Sequence, residues 1–491
     1  MLIDEEYYQT LILKFSQFTG KFMWIVIGYS RAIRWVLRKA YEIVSKSYMA
    51  LSREMELHAD EVSAYVAGSL PATTALLRSS LASDSFNYIW QFYYNRNSEN
   101  IKSENIYPQH AFVMIKFAER FGVKVENNLP HVTKEIISKF NRSKLVMVNQ
   151  WASHPTIEDR VKKLEELNIS STVSVESSWN LFVDPESIQK ILTEKLFRYW
   201  QFQESPVNLS LEEFKEKYLE DSGKHTFNKE YNHFYEFRDI SRFEVKDVID
   251  RQEVNSFNDF IEIYTDDNVD FILQFSGLDM DLKTVESISK KEIPIGSFEY
   301  DGIKYKSDQC KELLEKLVKQ HEVMYKQVNE LDINIYFFFY RLGKLSGKHE
   351  ELVKNYETYF YFLTEDKSNL QIYLDLINSM QFIYRVHSFN QIEVKLEEMG
   401  EKEDIFRERM HNILNDPNYQ SIITEEQKEN LNKYLSKEWT YFDNQEYDQE
   451  ALKVLEEAIY QFYEICSRAP FYALKKLLDF QIEILENENP A

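Results

Sequence analysis

Residues 20–67, GKFMWIVIGYSRAIRWVLRKAYEIVSKSYMALSREMELHADEVSAYVA, read as helix from end to end. Between 20 and 49, Phe22, Ile25, Val26, Tyr29, Ile33, Val36, Leu37, Ala40 and Val44 recur at i, i+3, i+4 spacing, the apolar stripe of an amphipathic helix. The rest of that helix is basic, with Lys21, Arg31, Arg34, Arg38, Lys39 and Lys46 set against Glu42 alone. A basic amphipathic helix suits the surface of an anionic membrane, to which it would bind peripherally. The same pattern suits a helix packed into a core with its basic side solvated, and that reading is preferred. The helical pattern continues from Leu51 to Ala67, where Gly68 and Pro71 supply a stop.

Further helices are expected around 72–82, 84–96, 108–121 and 132–140. Ser153-His154-Pro155-Thr156 followed by Glu158 and Asp159 opens another: cap candidates, a proline in the first turn, then two acids facing the positive end of the dipole. Asp184-Pro185-Glu186 repeats the signal for a helix reaching about 201. The Ser, Thr and Val run 168–178 reads as a linker, and 204–245 has weak periodicity. Phe260–Tyr264 and Phe271–Leu273 look strand-like, and Asp301-Gly302 between alternating residues signals a hairpin with a type I′ turn. From 308 to the end the pattern is helical throughout. With 11 Gly and 10 Pro in 491 residues, chain breakers are scarce and long helices are favoured. The expectation is a mainly α protein: a helical region 1–203, a small α+β region 204–307 with a hairpin, and an all-helical region 308–491.

A net charge of −23 argues against a duplex nucleic-acid partner. Cys310 and Cys466 are single and far apart, so neither a disulfide framework nor a thiolate metal site is expected. No run approaches the ~18 uncharged apolar residues of a membrane span, and the acidic start does not resemble a secretory signal, so a cytoplasmic location is expected. Asp266-Asp267 and Asp279-Met280-Asp281 read as loop acids rather than ligands.

The chemistry-bearing stretch is Leu51-Ser52-Arg53-Glu54-Met55-Glu56-Leu57-His58-Ala59-Asp60. Glu56 and Asp60 are four apart and share a helical face with Ala59, Ser63, Ala64 and Ala67. Small residues let a neighbour approach closely, which favours a packed face where two carboxylates require compensation. On a solvated face the same pair costs only tenths of a kcal/mol. Arg160 lies on a helix whose Ile157, Val161 and Leu164 form an apolar stripe. A guanidinium turned inwards there wants a bidentate carboxylate, and Asp60 is the candidate; the alternative is an arginine snorkelling to solvent.

S-R-x-x-E-x-x-A-D resembles the second metal motif of the HtpX and CAAX-prenyl-protease family of zinc metalloendopeptidases, and the Ser153-His154-Pro155…Arg160 segment is similar to an H-P…R segment of that family. The resemblance covers roughly residues 1–200. It implies a zinc-dependent hydrolase of protein or peptide substrates, with Glu56 as third zinc ligand and Asp60 and Arg160 supporting it from behind. His154 would then contact the scissile carbonyl or its oxyanion, or else merely cap its helix. The family's H-E-x-x-H is missing: His321-Glu322 and His349-Glu350 each lack the second histidine and lie downstream of Glu56. The chain is therefore expected to be a truncated peptidase that binds no zinc alone. The alternative is a pseudopeptidase serving as a protein-interaction scaffold.

Overall fold

The structure is a computed structural model that describes residues 20–147, 154–171, 176–202, 205–245, 257, 259–385 and 387–488, with the side chains of 20–27, 98 and 487–488 excepted. Ser153 and the side chains of Lys21, Phe22, Ile25 and Val26 lie outside the described residues. The protein is mainly helical, with a few small sheets. In chain order the elements of the first half are α1 (Gly20–Ala67), α2 (Ser69–Asn95), β1 (Ile101–Ser103), α3 (Ile106–Arg120), β2 (Val125–Glu126), β3 (Leu129–Pro130), α4 (Lys134–Phe140), β4 (Leu145–Val146), α5 (Ile157–Leu167), α6 (Pro185–Phe197), β5 (Val207–Leu209) and α7 (Leu211–His225). There follow α8 (Asp266–Ser289), β6 (Ser297–Tyr300), β7 (Ile303–Lys306), α9 (Cys310–Ser346), α10 (His349–Met380), α11 (Phe389–Asn415), α12 (Glu425–Leu435), β8 (Phe442–Asp443), β9 (Glu446–Tyr447) and α13 (Gln449–Glu488).

These elements form two compact units that do not follow the order of the chain. One comprises 32–226 and 266–325; the other comprises 1–31, 227–265 and 326–491. The boundaries of these units do not coincide with those of the regions 1–203, 204–307 and 308–491 expected from the sequence.

In the first unit, α2, α3, α6 and α7 close around an aromatic core that includes Phe92, Tyr93, Phe197 and Phe214, with β1 paired parallel to β5. Arg96 holds Asp221 through both carboxylate oxygens at 2.7 and 2.6 Å, tying the end of α2 to α7. A second core joins Leu77 of α2, Ala118 of α3 and Val161 of α5. A third lies under the sheet β4-β6-β7, where Val285 and Ile288 of α8 meet Phe298, Leu313 and Leu317. The lead-in to β4 crosses α8 closely: a Cβ on Gly277 would stand 2.7 Å from the carbonyl of Arg142. Buried Asp281 accepts from Ser143 Oγ at 2.6 Å and from the Lys144 amide at 2.9 Å.

The strand-like segments Phe260–Tyr264 and Phe271–Leu273 are corrected. Phe260–Glu262 is a 3₁₀ turn, and 271–273 lies inside α8, which places Asp266, Asp267, Asp279 and Asp281 on a helix rather than in loops. Helices expected at 72–82 and 84–96 are one continuous helix, α2. The hairpin at Asp301-Gly302 forms as expected, with φ of +52° and +77° in the turn and Tyr300 opposite Ile303. Two further hairpins use the same left-handed pair, at Asn127-Asn128 (φ +50° and +60°) and Asn444-Gln445 (φ +50° and +70°). The second interrupts the stretch expected to be purely helical from 308 onwards.

The other unit packs α10 against α13 and α11, with α12 beside α13. Its interior is rich in tyrosines that reach polar partners: the hydroxyls of Tyr434 and Tyr441 both donate to Glu403, and Tyr231 donates to the carbonyl of Leu478 at 2.7 Å. Arg238 and Asp332 form an ion pair with side chains 3 % and 1 % exposed, and the Ser241 amide donates to the same carboxylate at 2.7 Å.

Candidate functional site

The elements that meet at the site are α1 and α5, and their junction is fixed from two directions. Gly68, between α1 and α2, takes φ +94°, and a Cβ there would lie 2.9 Å from Cβ of Ser171. The Ser69 amide donates to the Ile169 carbonyl at 2.8 Å, and the Ile169 amide donates to Ser69 Oγ at 3.0 Å. The segment leaving α5 is therefore clamped to the end of α1. From the other side, Val161 buries itself against α2 and α3. With α5 so oriented, its Arg160 and Lys163 face the last turns of α1.

Arg160 meets Asp60 as the sequence suggested. Its Nε donates to one carboxylate oxygen and its Nη2 to the other, both at 2.7 Å. The side chains are 26 % and 11 % exposed, so the snorkelling alternative does not apply. Hydrogen bonding to Asp60, reinforced by the charges of Asp60 and Glu56, holds the Arg160 guanidinium above its ordinary pKa despite partial burial. Arg160 Nη1 also stands 3.9 Å from Glu56. His154 Nδ1 hydrogen-bonds Glu56 Oε1, while its ring remains three-quarters exposed (74 %). Lys163 pairs with Glu61 at 3.1 Å, a contact the sequence reading missed although Glu61 and Lys163 neighbour the two site residues.

The structure thus brings together all four residues singled out from sequence: Glu56, Asp60, His154 and Arg160. It also removes the capping role for His154, since Thr156 is the N-cap of α5 and its hydroxyl accepts from the Asp159 amide at 3.1 Å. The packed face of α1 is narrower than expected. Asp60 and Ala64 are buried and Glu56 is half-buried, but Ala59, Ser63 and Ala67 are exposed, so only the i, i+4 row 56, 60 and 64 is covered.

Zinc sites take at least three protein ligands. Glu56 and His154 offer one carboxylate and one imidazole, and both oxygens of Asp60 are committed to Arg160. Among the described residues no group of three or more His, Cys, Asp or Glu side chains could hold a metal ion. At this site the described residues offer two donors, Glu56 and His154, fewer than a zinc ion takes. What they do form is a carboxylate with fixed orientation, gripped by an imidazole on one side and faced by a guanidinium on the other.

A groove of about 370 Å³ borders α5, lined by Leu77, Lys134, Ile137, Ile157, Glu158 and Val161. No protein-family model, curated protein or solved structure matches the chain.

Proposed function

We propose that residues 51–167 are the part of a zinc metalloendopeptidase domain of the HtpX and CAAX-prenyl-protease type that supplies and braces the third metal ligand. The observation that supports this reading is the joining of two motifs far apart in sequence. Asp60, buried on α1, is held through both oxygens by Arg160 of α5, and Glu56, one turn earlier, is held by His154 ahead of α5. A ligand carboxylate whose neighbours fix its direction is what a preorganised metal site requires. On this reading Glu56 is the ligand, Asp60 and Arg160 position α1 against α5, and His154 orients Glu56 until a substrate carbonyl competes for its ring. The 491 residues lack the H-E-x-x-H pair, so peptide hydrolysis needs imidazoles supplied by another segment.

The test joins the chain to the in-frame sequence encoded upstream of it and compares both forms for bound zinc and for cleavage of casein. The expected result is no stoichiometric zinc and no cleavage for the 491 residues. The extended form should gain one zinc and activity, and lose both in Glu56→Ala. If no H-E-x-x-H is encoded upstream, or if Glu56→Ala leaves zinc binding intact, the peptidase reading fails. The shortage of donors then favours a pseudopeptidase that holds protein partners without cutting them.

A further inference from the structure

The helix that carries Glu56 and Asp60 has another face, which the site does not use. At 3.6 residues per turn, Ile33, Val36, Leu37, Tyr41, Val44 and Tyr48 of α1 fall within one half of its circumference. All six are exposed, from 41 % for Ile33 to 71 % for Tyr41. Leu51, Met55, Val62 and Val66 prolong the same face towards the end of the helix and are also exposed. An apolar stripe of this length is normally covered, because contiguous exposed patches beyond a few hundred Å² mark contact surfaces. The preferred sequence reading, in which this stripe packs into the core, is not what the structure shows for these residues.

Charge says what covers it. Arg34, Arg38, Lys39, Lys46 and Arg53 fall on the other half of the helix, and Glu42 is the only carboxylate between residues 33 and 53. Glu42 is itself held by Lys39 at 3.0 Å and Lys46 at 2.9 Å. Five cations less one anion give this segment a charge of +4 in a chain of −23. Carboxylates return with Glu54, Glu56, Asp60 and Glu61, where α1 enters the site.

We propose that residues 33–53 of α1 lie along an anionic lipid surface, with the apolar face in the boundary between headgroups and acyl chains and the cations reaching towards lipid phosphates. The tyrosines fit that boundary, since each has an apolar ring and a polar tip. A polar face rich in Lys and Arg, with bulky apolar and aromatic residues opposite, is the pattern of a helix lying in the membrane plane. A second copy of the chain is the poorer occupant, because pairing two such faces brings two +4 segments side by side. Spanning is not in question: among the described residues no helix is long and apolar enough to cross a membrane.

The test is co-sedimentation of the full chain with vesicles of phosphatidylcholine alone and of phosphatidylcholine mixed with phosphatidylglycerol. Binding is expected to the mixed vesicles only, and to weaken as salt screens the headgroups. Arg38→Gln with Lys39→Gln should lower the partition about 30-fold, at roughly fivefold per cation near the surface. Arg38→Lys with Lys39→Arg should bind like the parent. Tyr41→Glu with Val44→Glu should abolish binding while leaving the circular dichroism melt unchanged, since both positions are exposed; if that variant unfolds, the glutamine pair decides. Failure to bind anionic vesicles, or equal binding to neutral ones, overturns the proposal. So does a dimer in light scattering that Tyr41→Glu disperses. The inference stands apart from the peptidase reading: a chain that binds vesicles but gains no zinc when extended keeps this one and loses the other.

Discussion

Cutting the contact between Asp60 and Arg160 tests the link between α1 and α5 directly. Fully buried ion pairs cost about 3–5 kcal/mol when one partner is removed, and fully exposed pairs about 0–1 kcal/mol. Here the two side chains are 11 % and 26 % exposed and share two hydrogen bonds of 2.7 Å, so a loss of about 2–4 kcal/mol is expected for either alanine variant. The two losses should not be equal. Asp60→Ala leaves Arg160 with Glu56 3.9 Å away, a partial replacement partner. Arg160→Ala leaves a buried carboxylate four residues from another on the same helix, and should cost more. The double variant should lose less than the sum of the singles, by about 1–3 kcal/mol of coupling. Arg160→Lys cannot restore the two-pronged contact and should recover only part of the loss. Urea unfolding followed by tryptophan fluorescence suits the measurement, because Trp90 and Trp200 pack in the aromatic core of the same unit. Additive single losses, or an Asp60→Ala variant as costly as Arg160→Ala, would refute the account of who supports whom.

Gly68→Ala should destabilise the same unit by about 1–3 kcal/mol through its positive φ and its approach to Ser171, and Ser171→Gly should return part of the urea midpoint but not all. Asp332→Ala strands the buried Arg238 guanidinium and should cost about 3–5 kcal/mol in the other unit, read by the circular dichroism melt. Burial pushes the Tyr93 hydroxyl up to about 12. Its folded pKa lies above its unfolded value, so the stability it contributes is complete below about pH 10 and is lost as pH climbs towards 12. Urea midpoints between those limits should fall, and Tyr93→Phe should flatten the decline.

Asp60 and Arg160 were legible because each broke a pattern, whereas Glu56 and His154 were singled out through the motif resemblance. Arg160 interrupts the apolar row Ile157, Val161, Leu164, and Asp60 sits among small residues, so each helix announced a buried charge in need of a partner. The role of His154 was not legible: only the structure shows Thr156 capping α5 and freeing the imidazole to reach Glu56. The misreading of 271–273 came from the width of the view. Three apolar residues in a row fit a strand, whereas Val269, Ile272, Leu273, Asp281, Val285 and Ile288 are all buried and show the helical period only over twenty residues. The hairpins at Asn127-Asn128 and Asn444-Gln445 did carry a signal, since asparagine tolerates left-handed backbone. Their two-residue strands are too short to show the alternation that frames Asp301-Gly302. The interleaving of the two units left no mark on composition at all.

That interleaving has a consequence for how the protein is made. β4 pairs with β6, whose residues are synthesised some 150 positions later. At about 5–20 residues per second, the ribosome leaves Leu145 and Val146 without their partner strand for roughly 8–30 s. The unit that houses Glu56 therefore cannot be finished domain by domain from the N-terminus, and translation speed through residues 147–317 sets the earliest moment at which its third core, which includes Leu317, can close.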